Sequence, residues 1–136
     1  MLTRLRVKNY ALIEDMDVTF GGGLNILTGQ TGAGKSILIG SLNLILGEKA
    51  STEMVRSGEE EAFVEASFEL TGKIPERLTS YVCVGEPVLL RRQVIRGGRS
   101  YAFVNDHQVT IGKLKEVGDI LVDLLGQHHH QSLFPP

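Results

Sequence analysis

Leu24-Asn25-Ile26-Leu27-Thr28-Gly29-Gln30-Thr31-Gly32-Ala33-Gly34-Lys35-Ser36-Ile37-Leu38-Ile39-Gly40 is the stretch on which the fold turns. Its first five residues form a short apolar run of the kind that makes a strand buried on both faces. From Lys35 to Leu46 the apolar residues lie nearly all round, which predicts an internal helix, with Gly47 placed as its C-terminal stop. Between strand and helix, Gly29, Gln30, Thr31, Gly32, Ala33, Gly34, Lys35 and Ser36 fit G-x-x-x-x-G-K-[ST] at every fixed position. The glycines let the backbone curl so that successive N–H groups point into one concavity, and the helix start adds partial positive charge there. Lys35 then places a cation between the β- and γ-phosphates of a nucleotide, and the Ser36 hydroxyl can coordinate a bridging Mg²⁺. An ordinary glycine turn is the plain alternative, and the strand–loop–helix context argues against it.

Upstream, Leu5 and Val7 alternate with Arg4, Arg6 and Lys8, the period-2 pattern of a half-buried strand with one basic face. In residues 13–20, Met16, Val18 and Phe20 share one face while Asp15 and Asp17 take the other, so the two strands pair opposite charges in a hairpin. Cross-strand pairing is thus a sufficient reason for the basic stripe, without DNA contact. Gly21-Gly22-Gly23 makes a flexible turn into the apolar strand.

Downstream, residues 48–61 are polar and read as a surface loop, and Ala62, Val64, Ala66, Phe68 and Leu70 alternate with polar partners in a strand. Residues 88–95 and 100–104 form a second hairpin around Gly97-Gly98, with a turn at Asn105-Asp106. Thr110 can cap a short helix that turns Ile111, Leu114 and Val117 to the core and ends at Gly118. Residues 120–125 read as another buried strand, with Asp123 at its end. No further helix is available to cover it, so the α/β fold is expected to be half a domain.

The chain has 14 Lys plus Arg against 16 Asp plus Glu, a net charge of −2, with 42% hydrophobic and 22% charged residues. That composition suits one compact globular domain and excludes disordered or collagen-like chains. The longest apolar stretch falls well short of the roughly 18 residues of a membrane span, and the alternating N-terminus is not a secretory signal, so no membrane is expected and the cytoplasm is the default location. Cys83, the sole cysteine, excludes an internal disulfide framework and a multi-cysteine zinc site. The near-neutral charge argues against nucleic-acid binding through bulk electrostatics, leaving only a local basic face. The densest basic cluster is Arg91, Arg92, Arg96 and Arg99. Arg92 and Arg96 fall on one strand face about 13 Å apart, a candidate DNA track. Pairing with Glu65 and Glu69 of a neighbouring strand is the competing reading.

Asp123-Leu124-Leu125-Gly126-Gln127 resembles the D-x-x-G-Q switch of small GTPases, but no N-K-x-D guanine motif occurs in the chain. As a Walker B aspartate, Asp123 lacks the second carboxylate, since Leu124 follows it.

A different family matches the whole chain. VKNYALIEDMDVTF, LTGQTGAGKS with ILIGSLNLILG, VRSGEEEAFVEASFEL, GRSYAFVND and LVDLLGQHHHQSL resemble, in order, the N-terminal ATPase lobe of the bacterial RecN family. These are DNA double-strand-break repair proteins related to the structural-maintenance-of-chromosomes (SMC) ATPases. The resemblance implies an α/β P-loop NTPase fold: the N-terminal lobe of an ABC/SMC-type head, with an antiparallel β subdomain beside a P-loop strand–helix core, completed by a C-terminal lobe. It implies ATP and Mg²⁺ as cofactors. It makes Gln127 the Q-loop glutamine that reaches Mg²⁺ and the attacking water, catalytic together with Lys35. It makes Arg56 the arginine of the R-loop near the nucleotide and the partner head, and it places the hairpin around Asn9 and Tyr10 beside the nucleotide base. Implied partners are the C-terminal lobe and coiled coil of the same protein, a second head engaged through ATP, and DNA, with a nucleoid-associated location.

Two departures stand out. Gln30 replaces the usual Glu, which ATP binding is expected to tolerate, and His128-His129-His130 replaces His-Glu-His. Adjacent histidines on an extended segment point in different directions, so they are expected to be solvated or to support the Q-loop and not to hold a metal. A signature motif, a Walker B Asp-Glu pair, a switch histidine and a heptad repeat are all missing, so the chain is expected to be a piece of a longer protein, inactive alone. The open alternatives are a stand-alone GTPase or nucleotide kinase, and a non-catalytic nucleotide-gated module.

Overall fold

The computed structural model describes residues 2–20, 32–70, 74–82 and 85–126. Among the described residues six strands form one antiparallel sheet: β1 (Leu2–Tyr10), β2 (Ile13–Thr19), β3 (Glu61–Phe68), β4 (Val88–Ile95), β5 (Ser100–Val104) and β6 (His107–Val109), in the order β2-β1-β3-β4-β5-β6. Two helices, α1 (Gly32–Ile45) and α2 (Ile111–Gly126), cover one face, α1 over β3 and β4 and α2 over β5.

The alternation expected of β1, β2 and β3, continued by the hairpin of β4 and β5, decides which face is which. Leu5, Val7, Val18, Ala62, Val64, Ala66, Phe68, Val88, Leu90, Val94, Ala102 and Val104 are buried beneath the helices. Each such large side chain contributes roughly 1.5–3 kcal/mol, and a one-residue slip would turn the whole set outward, so burial fixes the register. The register shift between Leu2 and Arg4 brings Leu2 inward as well as Leu5. At the other end of β1, Asn9 (φ 52°) and Ala11 (φ 54°) take left-handed backbone on either side of Tyr10, whose side chain is buried instead of following Lys8 outward.

On the outer face Arg6 stands opposite Asp17 and Lys8 opposite Asp15, and the ion pairs formed are Arg4–Asp17 and Arg6–Asp15. The basic stripe is thus a charge-paired sheet face. Further along the same face, Arg91 lies against the rings of Phe63 and Phe103, with its guanidinium carbon 4.9 and 5.7 Å from their centroids.

Helix α1 ends as its sequence requires. The Glu48 N–H donates to Asn43 O (3.1 Å) and the Gly47 N–H to Leu44 O (3.2 Å), with Gly47 left-handed at φ 101°. Thr110 caps α2, its hydroxyl accepting from the Lys113 N–H at 3.0 Å.

Several expectations are corrected. Gly118 does not end a helix and residues 120–125 are not a strand, because α2 runs unbroken from Ile111 to Gly126. Among its described residues Leu114, Val117, Gly118 and Leu121 are buried at helical spacing, so within the apolar run Leu121 continues that stripe while Val122 is exposed. Gly118 serves close packing instead: a Cβ there would sit 3.0 Å from Leu46 Cδ2 and 3.3 Å from Leu46 Cα. Asp123 is an exposed residue of this helix and not a strand-end carboxylate, which removes the local context of a GTPase switch. Strand β6 follows the Asn105-Asp106 turn, where Asn105 is left-handed (φ 52°) and two residues suffice for a hairpin. The segment 48–61 is not simply a surface loop either. A 3₁₀ turn covers Thr52–Met54, Val55 is buried, and it bridges to Tyr10. The expected turn at Gly21-Gly22-Gly23, the strand 24–28 and Cys83 lie outside the described residues.

Candidate nucleotide site at the start of helix α1

Helix α1 begins inside the glycine motif, its first turn made by Gly32, Ala33, Gly34 and Lys35, and Ser36 is exposed next along the helix. The first turn carries no acidic residue. Its unsatisfied N–H groups and partial positive charge therefore favour an anion, and a hydroxyl beside them suits a hard, oxygen-seeking cation such as Mg²⁺. The donor set present fits a Mg²⁺–nucleotide. Gly29, Gln30 and Thr31 of the same motif, and Gln127 with His128, His129 and His130, lie outside the described residues.

The opposite end of α1 is held from the sheet. No basic residue lies in the last turn of α1, yet the buried Arg92 of β4 reaches it. Arg92 Nη1 donates to Leu44 O (2.8 Å) and Glu48 O (2.7 Å), and Nη2 to Ser100 Oγ (3.3 Å). A cation at a helix C-terminus complements the dipole and adds a donor to the carbonyls gathered there. Burial lowers the Arg92 pKa from its ordinary value, and the carbonyl acceptors compensate the charged form. This overturns both readings of Arg92: at 1% exposure it can neither track DNA nor pair with Glu65 or Glu69 on the outer face.

Arg96, just past β4, is exposed but also committed to backbone. Its Nε donates to Glu59 O at 2.8 Å, and its Nη2 to Arg56 O at 2.9 Å and Val55 O at 3.3 Å. The pairing of Arg96 with Glu65 or Glu69 is replaced by these carbonyls. Sequence reasoning missed both roles. The available signal was phase: Arg92 falls in step with Leu90 and Val94, the buried positions of its strand.

The segment bearing Arg56 is joined to the end of β1. The Ala11 N–H donates to Met54 O (2.7 Å), the Arg56 N–H donates to Asn9 O (2.8 Å), and Asn9 Nδ2 lies 3.4 Å from Glu59 Oε1. Tyr10, at the centre of this junction, leans over α1: a Cβ at Gly40 would lie 2.9 Å from its hydroxyl. Gly40 is four residues beyond Ser36 and so shares its helix face. The structure thereby brings the Tyr10 hydroxyl to the side of α1 that Ser36 occupies, and joins the Arg56 segment to the end of β1 that carries Tyr10. Burial raises the Tyr10 pKa above its ordinary value, so this hydroxyl stays protonated near neutrality.

Comparisons with known proteins agree with this architecture. Residues 4–131 match the family described as AAA domain. The DNA repair protein RecN of Halalkalibacterium halodurans is 45% identical over 138 residues, covering 98% of this chain and 24% of that protein. The chain thus spans about a quarter of the length of that curated relative. Among solved structures, an Smc head domain with coiled coil and joint from Pyrococcus yayanosii superposes with a TM-score of 0.66 at 19% identity, covering 92% of this chain and 25% of the other. A chain from a study of ATP-driven dimerization and DNA-stimulated activation of SMC ATPases gives 0.65 at 18% identity, covering 85% and 76%. The fold is that of the N-terminal lobe of an ABC/SMC-type ATPase head. The chain belongs to the AAA domain family, and over this region it is similar to RecN proteins.

Proposed function

We propose that residues 1–136 are the N-terminal half of the ATPase head of a RecN-like DNA repair protein, located in the cytoplasm at the nucleoid. The observation that carries this is the phosphate-loop motif running directly into α1, in a chain 45% identical to a RecN protein.

In this reading, Gly29, Gln30, Thr31, Gly32, Ala33 and Gly34 wrap the ATP phosphates with backbone N–H groups, and Lys35 sets its charge between the β- and γ-phosphates. Ser36 and Gln127 would hold Mg²⁺, which neutralises developing phosphate charge when bound. Gln127 also orients the attacking water, and Arg56 approaches the nucleotide from the segment joined to β1. Hydrolysis requires the C-terminal lobe and a second head, which close the site, and ATP thereby controls head engagement on DNA. A coiled coil connects the lobes, and the solved Smc head domain that shares this fold carries a coiled coil.

Calorimetry of ATP binding to the full-length protein tests the reading. Lys35→Ala is expected to abolish tight binding while far-ultraviolet circular dichroism stays unchanged. Undiminished affinity in a folded variant would remove the phosphate-loop assignment.

A further inference from the structure

We infer that Arg96 is a positioning residue, the clamp that fixes the backbone from which Arg56 reaches the nucleotide. The inference rests on the proposed placement of Arg56 at the nucleotide and extends it to a residue at the tip of a different hairpin.

Arg96 makes four hydrogen bonds to one short segment. Its side chain donates to the carbonyls of Val55, Arg56 and Glu59, and its backbone N–H donates to Glu60 O at 2.8 Å. Three carbonyls converging on one guanidinium need its planar array of donors, which an ammonium group cannot reproduce. The same segment is held on its other side by β1, through the Arg56 N–H to Asn9 O and the bridge of Val55 to Tyr10. The Arg56 peptide is therefore gripped at its N–H by Asn9, and at its carbonyl by Arg96 and by the Glu59 N–H at 2.9 Å.

The Arg56 side chain contrasts with its backbone. It is half-buried, and among the described residues it makes no hydrogen bond or ion pair. A free cation on an immobilised backbone is an arrangement that lowers the ordering cost of meeting an anion. The anion class that fits is a nucleotide phosphate, because the Arg56 segment is bonded to the end of β1, whose Tyr10 hydroxyl lies over α1 at Gly40, one turn beyond Ser36. Arg96 itself spends its donors on carbonyls and acts only through Arg56.

The test is a mutant cycle in the full-length protein, with ATP affinity read by calorimetry and Tm read separately. Arg56→Ala and Arg96→Ala are each expected to weaken ATP binding about tenfold, the scale of one charge-assisted contact. The double variant should bind no worse than Arg56→Ala alone, and Arg96→Lys should recover only part of the loss. Lower Tm with wild-type affinity in Arg96→Ala, beside a weakened Arg56→Ala, overturns the positioning role, as does an additive double variant. If Arg56→Ala itself binds ATP normally, the nucleotide role of Arg56 is what fails. Amide hydrogen exchange then decides the clamp alone. Faster exchange at the Arg56 and Glu59 amides in Arg96→Ala, with Lys113 unchanged, supports it, and unchanged protection at all three overturns it.

Discussion

Strands β1 and β4 both carry arginines, yet Arg4 and Arg6 of β1 and Arg92 of β4 do opposite work. On β1, Arg4 and Arg6 stand on the outer face and meet carboxylates of β2, with about half of the Arg4 side chain in water. On β4, Arg92 stands on the inner face with 1% exposure and meets carbonyls at the end of α1. The difference is one of phase. Arg4 and Arg6 are out of step with Leu5 and Val7, whereas Arg92 is in step with Leu90 and Val94. An exposed pair is screened by water and contributes little, while a buried cation that satisfies helix carbonyls cannot be removed without leaving them desolvated.

The largest expected effect that separates the two strands is therefore at Arg92. Arg92→Ala should destabilise the fold by about 3–5 kcal/mol, because it opens a cavity, takes the guanidinium donor from Glu48 O and leaves Leu44 O with the Gly47 N–H alone. Denaturant unfolding measures this, and the loss should hardly change between low and high salt, since the acceptors are neutral and the site is shielded from ions. A salt-dependent loss, or one below about 1 kcal/mol, would erase the contrast with β1.

The same end of α1 offers a second, smaller effect that does not involve charge. Gly47 sits at φ 101°, and a Cβ there would lie 2.6 Å from Lys115 Cβ and 2.8 Å from Lys115 Cα. Gly47→Ala should therefore cost about 2 kcal/mol from backbone strain and crowding together. Amide exchange in the last turn of α1 locates the effect. Protection of the Leu46 and Glu48 amides should fall first, and a loss confined to α2 would mean that the contact is relieved by α2 moving away. Comparison with Arg92→Ala then separates the shape of this helix end from its charge.

The antiparallel sheet was legible because its signals are local. Alternation in the middle of β1 and along β3, the Gly97-Gly98 turn and the Thr110 cap each depend on a few adjacent residues. Helix α2 was misread for an identifiable reason. Gly118 looks like a stop, but its missing side chain serves the contact with Leu46, and a short apolar run such as residues 120–125 suits a strand or a buried helix equally well. Strand β6 is only three residues long, too short to show a period. At the candidate site, the phosphate loop is a contiguous motif and was read directly. The clamps of Arg92 and Arg96 join residues 37 to 48 positions apart through backbone carbonyls, which carry no residue identity and so leave no trace in the sequence.

The smallest expected effect lies on β1, and there the pH dependence tells charge from packing. Arg4 Nε and Nη2 both donate to the Asp17 carboxylate, and that hydrogen bonding holds the Asp17 pKa below its ordinary value. A carboxyl whose pKa is lowered on folding binds protons more readily when unfolded. Its stabilisation is therefore complete above the unfolded value and lost as pH falls through the folded one. Both side chains are about half in water, so Arg4→Ala should lower Tm only slightly at pH 7 and low salt. The difference should shrink in high salt, where the pair is screened, and vanish under acid conditions that protonate Asp17. Melting curves of wild type and Arg4→Ala across pH at two salt concentrations provide the measurement. A difference that persisted in acid and in salt would show that Arg4 contributes through the packing of its aliphatic stem, and would make the β1 arginine resemble Arg92 more closely than its exposure suggests.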